Sequence, residues 1–282
     1  MQFFLGYTFR NILALAGFAL PLLWSRVEAG PWIPDPGHGV SRPIVRYYYA
    51  DHTFPSTSFD RTKTPSSSTD RETELKVTGE YGLSSNFALG YDLRAAKIEK
   101  TKHGVTASAS GLEDQVVGLI YSLRRNQQFA HTLALNVVLP VGSTTTSPAL
   151  GAGSYALEPD YQIGIVDHSI GRFISATLGL GPRVFVDTGT TQLRASLNLG
   201  AGITQKTSVF GTLFYSHTVS GNSTVVQGDY DQNEIYNILR GGLTLEYTLT
   251  KSLRLIGAYE VDIAGRDIHA GHRINAGVAW HY

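Results

Sequence analysis

Along residues 193–203 the odd positions read Leu193, Ala195, Leu197, Leu199, Ala201 and Ile203, and the even positions between them read Arg194, Ser196, Asn198, Gly200 and Gly202. In 253–263 the odd set is Leu253, Leu255, Gly257, Tyr259, Val261 and Ile263, against Arg254, Ile256, Ala258, Glu260 and Asp262. The same split recurs in 75–83, 133–141, 174–186 and 235–249. A period of two sends successive side chains to opposite faces of a strand, so each segment has one apolar and one mostly polar face. Twelve segments of this kind are predicted, at 42–50, 71–83, 86–100, 112–123, 129–142, 154–167, 172–186, 191–204, 207–220, 233–249, 252–264 and 271–282. Most exceed the roughly 5–6 residues of a soluble strand and reach the roughly 9–11 of a tilted transmembrane one. No helical stretch intervenes.

The connections alternate in length. Residues 51–70, 101–111, 143–153 and 221–232 are long, whereas Ser84-Ser85, Arg124–Gln128, His168–Gly171, Gln205-Lys206 and Thr250-Lys251 are short. Asp187–Thr190 and 265–270 are intermediate. Tight turns on one side and loops on the other are the pattern of an up-and-down barrel with its turns in the periplasm. The fold class is therefore all-β: a transmembrane antiparallel up-and-down β-barrel of about twelve strands over 42–282. In such a barrel lipid covers the apolar face, and closure satisfies every backbone polar group without water. The opposite face is expected to line a wet lumen with Arg46, Glu74, Lys76, Glu80, Asp92, Arg94, Asp114, Glu158, Asp160, Arg183, Arg194, Arg240, Glu246, Arg254, Glu260, Asp262 and Arg273. Nine of these are acidic and eight basic, so no strong ion preference follows.

Residues 1–29 carry an early basic residue (Arg10), an apolar stretch from Ile12 to Trp24, and small residues Val27 and Ala29 placed for signal-peptidase cleavage. The stretch is too short to span a bilayer and suits a signal peptide. A Pro/Gly-rich leader, 30–41, follows in the periplasm. The absence of cysteine excludes disulfide scaffolds, thiolate metal sites and Cys nucleophiles. With 23 basic and 23 acidic side chains there is no positive field for nucleic acid, which is not expected as a partner.

Tyr81, Tyr121, Tyr155, Tyr247, Tyr259, Trp280 and Tyr282 fall on the lipid-facing parity, mostly near strand ends, where an amphipathic ring suits the membrane interface. The last segment alternates through His272, Ile274, Ala276, Val278 and Trp280 to a terminal Tyr282. It resembles the strand by which the barrel-assembly machinery recognises its substrates. Location in the bacterial outer membrane follows, with its lipids and lipopolysaccharide as surroundings.

Four short motifs occur in order: Glu80-Tyr81-Gly82-Leu83, Gly111-Leu112-Glu113-Asp114, Leu139-Pro140-Val141-Gly142 and Gly151-Ala152-Gly153. Their order and spacing resemble the outer-membrane transporters of the MetA pathway of phenol degradation, over about 75–280. Glu113 stands where that family has Gly, and Val141 where it has Thr. The resemblance implies uptake of small, often hydrophobic or aromatic, compounds.

The expected function is a passive channel or transporter for a small-molecule solute, without cofactor and without enzymatic activity. One alternative is a plugged structural barrel, braced by interstrand ion pairs among Arg194, Arg240, Arg254, Glu246, Glu260 and Asp262. Another is a lipid hydrolase using a lipid-facing His217/Asn237 pair, placed opposite each other by a hairpin centred near residue 227. That pair lacks a nucleophilic Ser on the adjoining strand, where Thr191, Leu193 and Ala195 have the matching parity. No metal site is expected. His269 and His272 have no third ligand nearby, and the run Asp229, Asp231, Asn233 fails as a calcium loop because Glu234 and Arg240 occupy its Gly and Glu positions.

Overall fold

The computed structural model describes residues 31–55, 58–168, 172–220, 237–266 and 268–282. The signal segment 1–29 and the run Asp229, Asp231, Asn233 lie outside them.

Among the described residues thirteen strands form one antiparallel sheet: β1 (Gly39–Thr53), β2 (Thr64–Gly82), β3 (Phe87–Lys102), β4 (Val105–Leu112), β5 (Gln115–Arg125), β6 (Phe129–Leu139), β7 (Ala156–Asp167), β8 (Ile174–Phe185), β9 (Thr191–Gly202), β10 (Thr207–Ser220), β11 (Ile238–Thr248), β12 (Leu253–Gly265) and β13 (His269–His281). The first and last close on each other, with Tyr47 opposite Ile274 and Val45 opposite Ala276. On its other side β1 pairs with β2, and β2 with β3. β3 is shared. Its Phe87–Asp92 half pairs with β5, while Ala95–Lys102 pairs with β4, which among the described residues pairs with no other strand. The ring therefore has twelve members, and β4 is a hairpin extension standing on β3 at the long-loop end.

The extension departs from the sequence pattern, which predicts a loop over 101–111. Its residues alternate Val105, Ala107, Ala109 with Thr106, Ser108, Ser110, a contrast too weak to read as two faces. Beyond the membrane no lipid demands an apolar side, so the pattern that marks the other strands is missing there.

Side-chain exposure is inverted relative to a water-soluble sandwich. Leu75 is 52% exposed while its neighbour Glu74 is fully buried, and Ile274 is 54% exposed beside Arg273 at 1%. Leu193, Leu199, Leu243, Leu255 and Tyr259 continue the apolar surface around the ring. Left in water, each such side chain would forgo roughly 1.5–3 kcal/mol of burial; against hydrocarbon tails the same surface is satisfied. Small inward residues let the wall carry bulky neighbours. Gly118, for instance, sits where the Asn136 side chain packs, and Gly164 lies under the ring of Trp32.

Leu243→Arg, at an outward position 59% exposed, is expected to cost about 2–4 kcal/mol if it lies near the bilayer midplane. The folded fraction, read from the mobility of unheated protein in detergent gels, checks this. An inward Thr244→Arg placed one residue away is expected to reduce it less.

Candidate functional site

Inward-facing charges meet across neighbouring strands. On β1–β3, Arg46 Nη1 lies 3.0 Å from Glu74 Oε2, Arg94 Nε lies 3.8 Å from Glu74 Oε1, and Asp92 joins Arg94 (2.6 Å) and Lys76 (3.1 Å). Arg46 Nε donates to Asn275 Oδ1 on β13, and Asn275 Nδ2 donates to Glu260 Oε1 on β12. Asp262 accepts from Arg240 of β11 at 2.9 Å and from Arg273 of β13 at 3.2 Å. On the far wall Glu158 of β7 receives both Arg183 of β8 and Arg194 of β9. Phe214 of β10 joins these groups, with the Arg194 guanidinium 5.0 Å and that of Arg240 5.9 Å from its ring centre. Arg273 lies likewise 4.5 Å over Tyr48.

These contacts make a nearly continuous inner belt from β7 through β13 to β3. Each cation faces an anion or a ring, so the wall is electrically balanced, and low local dielectric makes each pair costly to break. The belt stops at β5 and β6. Over their middle stretches the inward residues are Val116, Gly118, Ile120 and Ser122, facing Thr132, Ala134, Asn136 and Val138, with Arg125 beyond a register shift at the short-turn end. A neutral strip, half of it apolar, thus runs along one side of the lumen.

Most residues assigned to the lumen from sequence sit on this inward face. Arg254 and Glu246 meet at 3.6 Å near the short-turn end, and Asp160 accepts from Gln162 on its own strand. Glu80 pairs in register with Val40 of β1 and Gly90 of β3. Asp114 does something else. It lies between β4 and β5, and its two carboxylate oxygens accept the backbone N–H groups of Gly142 (3.0 Å) and Ala152 (2.7 Å). A Cβ on Gly151 would strike the same carboxylate. The Gly-Leu-Glu-Asp, Leu-Pro-Val-Gly and Gly-Ala-Gly motifs therefore meet in one clamp, which folds the β6–β7 loop inward and seats Leu150 on Ala96, Ile98 and Ala109.

The opposite mouth is also narrowed. Trp32 Nε1 donates to the carbonyl of Asn126, while Arg125 donates to the carbonyl of Ile33 and to Asp35 Oδ1. The described part of the leader thus crosses from β1 to the β5–β6 turn, with Trp32 and Pro31 against the inner side of β7 at Gly164.

Sequence reasoning missed two residues of the interior, Glu72 and Glu113. With the expected lumen residue Glu74 they bring one carboxylate oxygen each within 4.8 Å of one another, all buried. The aromatics assigned to the interface from sequence face outward, where Tyr81 stacks on Tyr282 and Trp280 packs beside it at the short-turn rim. The hairpin register that aligns 217 with 237 is present, since Ser216 pairs with Ile238. However, Asn237 Oδ1 accepts from the Thr218 backbone N–H and His217 stacks on Tyr215, so the two side chains are engaged elsewhere. His269 points inward and His272 outward, between the rings of Tyr49 and Tyr259, which separates that pair across the wall.

No protein-family model and no curated protein matches the chain in sequence. Among solved structures it is similar to an outer membrane channel from Pseudomonas putida F1, at 13% identity and a TM-score of 0.65, covering 92% of this chain and all of that one. Weaker likenesses, with TM-scores of 0.49 and 0.48, are to the translocator domain of the autotransporter NalP from Neisseria meningitidis and to the NanC porin, at 12% and 10% identity over 88% and 84% of this chain and 90% and 98% of theirs. The shared architecture and the outward apolar girdle place this chain in the bacterial outer membrane.

Asp114→Ala is expected to leave two backbone N–H groups without their acceptor, at about 1–3 kcal/mol of local stability. Limited digestion with proteinase K should then cut within 140–155 at doses that spare the wild-type protein.

Proposed function

We propose that the chain is a passive outer-membrane channel for small, weakly polar compounds. The neutral strip on β5 and β6, flanked by a self-neutralised belt, is the observation that carries this reading. Charges already paired offer little to a passing ion, whereas an apolar lane lowers the cost of carrying a hydrophobic or aromatic solute past them. The resemblance to phenol-pathway transporters points to the same substrate class. The similarity to the Pseudomonas putida outer membrane channel supports the coarser reading of transport. The leader lies across the short-turn end of the same strip, so passage along it depends on the contacts of Arg125. In this reading β13, with Trp280 and the Tyr282 that follows it, is the segment presented to the assembly machinery, and lipopolysaccharide surrounds the long-loop rim.

Cells expressing the barrel should take up the neutral hydrophobic dye N-phenyl-1-naphthylamine faster than cells with an empty vector, while purified protein in planar bilayers carries only a small ionic current. Dye uptake equal to the vector control, from protein that folds and reaches the membrane, counts against the reading. Arg125→Ala, which removes the donor to Ile33 and Asp35, is expected to raise the bilayer current severalfold. An unchanged current would show that the leader does not limit passage.

A further inference from the structure

At the outer mouth three side chains converge that the channel reading does not use. Between Ala50 and His52 of β1 the ladder is irregular: Ala50 faces Asp70 and His52 faces Pro65, so four residues of β2 answer one of β1. This looped-out stretch carries Ser68 back over β1 toward β13, where His269 pairs with Thr53. Ser68 Oγ lies 3.5 Å from His269 Nε2, and His269 Nδ1 lies 2.8 Å from Asp70 Oδ2. Ser68 and Asp70 are two apart on one strand and so share its inward face. The histidine and aspartate side chains are only 16% and 17% exposed.

The order of contacts is the one nucleophilic hydrolysis requires. A hydroxyl faces one ring nitrogen and a carboxylate lies at ion-pair distance from the other, the placement in which a carboxylate favours the tautomer that accepts the proton. The Ser–His separation is long for a hydrogen bond, as is common before substrate closes a site. All three residues border the outer mouth, where a cavity of about 700 Å³ is lined by Ser68, His269, Lys100, Lys102, Ser147 and Pro148. Lys102 stands directly opposite Ser68 in the β2–β3 register, and Lys100 opposite Asp70. Both lysines line the same cavity as the hydroxyl, a positive setting for a developing oxyanion.

We propose that Ser68, His269 and Asp70 form a second functional site that hydrolyses small carboxylic esters reaching the outer mouth. Ser68 Oγ bonds to the acyl carbon as its proton passes to His269 Nε2, and the carbonyl electrons move to an oxygen facing the lysines. Collapse of that intermediate breaks the ester C–O bond, and the departing alcohol takes the proton from Nε2. Water then attacks the acyl-serine in the same way and releases the carboxylate, so ester and water become acid and alcohol with no other reactant. Ser68 and His269 are catalytic residues here; Asp70 is a positioning residue acting through the imidazole.

Purified, folded barrel incubated with a fluorophosphonate probe should acquire one adduct, located on Ser68 by peptide mass spectrometry and absent from Ser68→Ala. Hydrolysis of p-nitrophenyl butyrate should fall by about 10²-fold or more in Ser68→Ala and His269→Gln. Asp70→Asn should lower kcat by about 10-fold or more with KM nearly unchanged, and with unheated gel mobility still that of folded protein. No adduct and no turnover above a detergent blank would overturn the proposal, as would wild-type turnover by Ser68→Ala or an adduct confined to Ser66 or Ser67. Dye uptake in Ser68→Ala cells should match wild type, which separates this site from the channel.

Discussion

A backbone amide in hydrocarbon has no water to turn to, and an unmet one costs several kcal/mol. That constraint decides the architecture. An open sheet of these strands would leave two edges of unpaired groups in lipid, whereas pairing of β1 with β13 removes both. Closure then fixes which way every side chain points. Once the ladder is a ring, alternate residues must face either the bilayer or the interior, and the chain supplies apolar groups to one and charged groups to the other.

The interior in turn must satisfy what it has enclosed. Arg273, Glu74 and Asp262 are at most 1% exposed, and such groups are tolerable only when paired. The belt is the result. It stiffens ten of the twelve strands through contacts that cross from one to the next, and it leaves β5 from Val116 to Ser122 and β6 from Thr132 to Val138 without charge. The two closures of the lumen, the Asp114 clamp above and the Trp32–Arg125 contacts below, both attach beside that uncharged strip. The ends and the middle of the barrel are thus organised around one side of its wall.

Strand identity and facing were legible because lipid imposes them locally. Leu193 and Arg194, or Ile274 and Arg273, declare their sides within two residues. β4 was not legible, since Val105–Leu112 stands clear of the membrane and nothing enforces contrast between its faces. The hairpin register of 217 and 237 could be counted, but the turn of Asn237 toward the Thr218 amide could not, because side-chain direction depends on which donor is nearest. The motifs around Asp114, Gly142 and Ala152 were visible as separate words; only folding shows that they form one clamp. Ser68 and His269 are 201 residues apart, and an irregularity in β2 brings them together, so no local pattern announces them. Glu113 stood out as a departure from a family pattern, yet its neighbours Glu72 and Glu74 come from a different strand.

The chain has no cysteine, so introduced pairs report unambiguously. Val45→Cys with Ala276→Cys joins the first strand to the last, and Val45→Cys with Leu75→Cys joins β1 to β2. Oxidation in outer membranes of intact cells should cross-link both pairs with similar yield if lipid surrounds a single closed ring. A cross-link at 45/75 without one at 45/276 would mean that the sheet has free edges, and the account of its faces would fall with it.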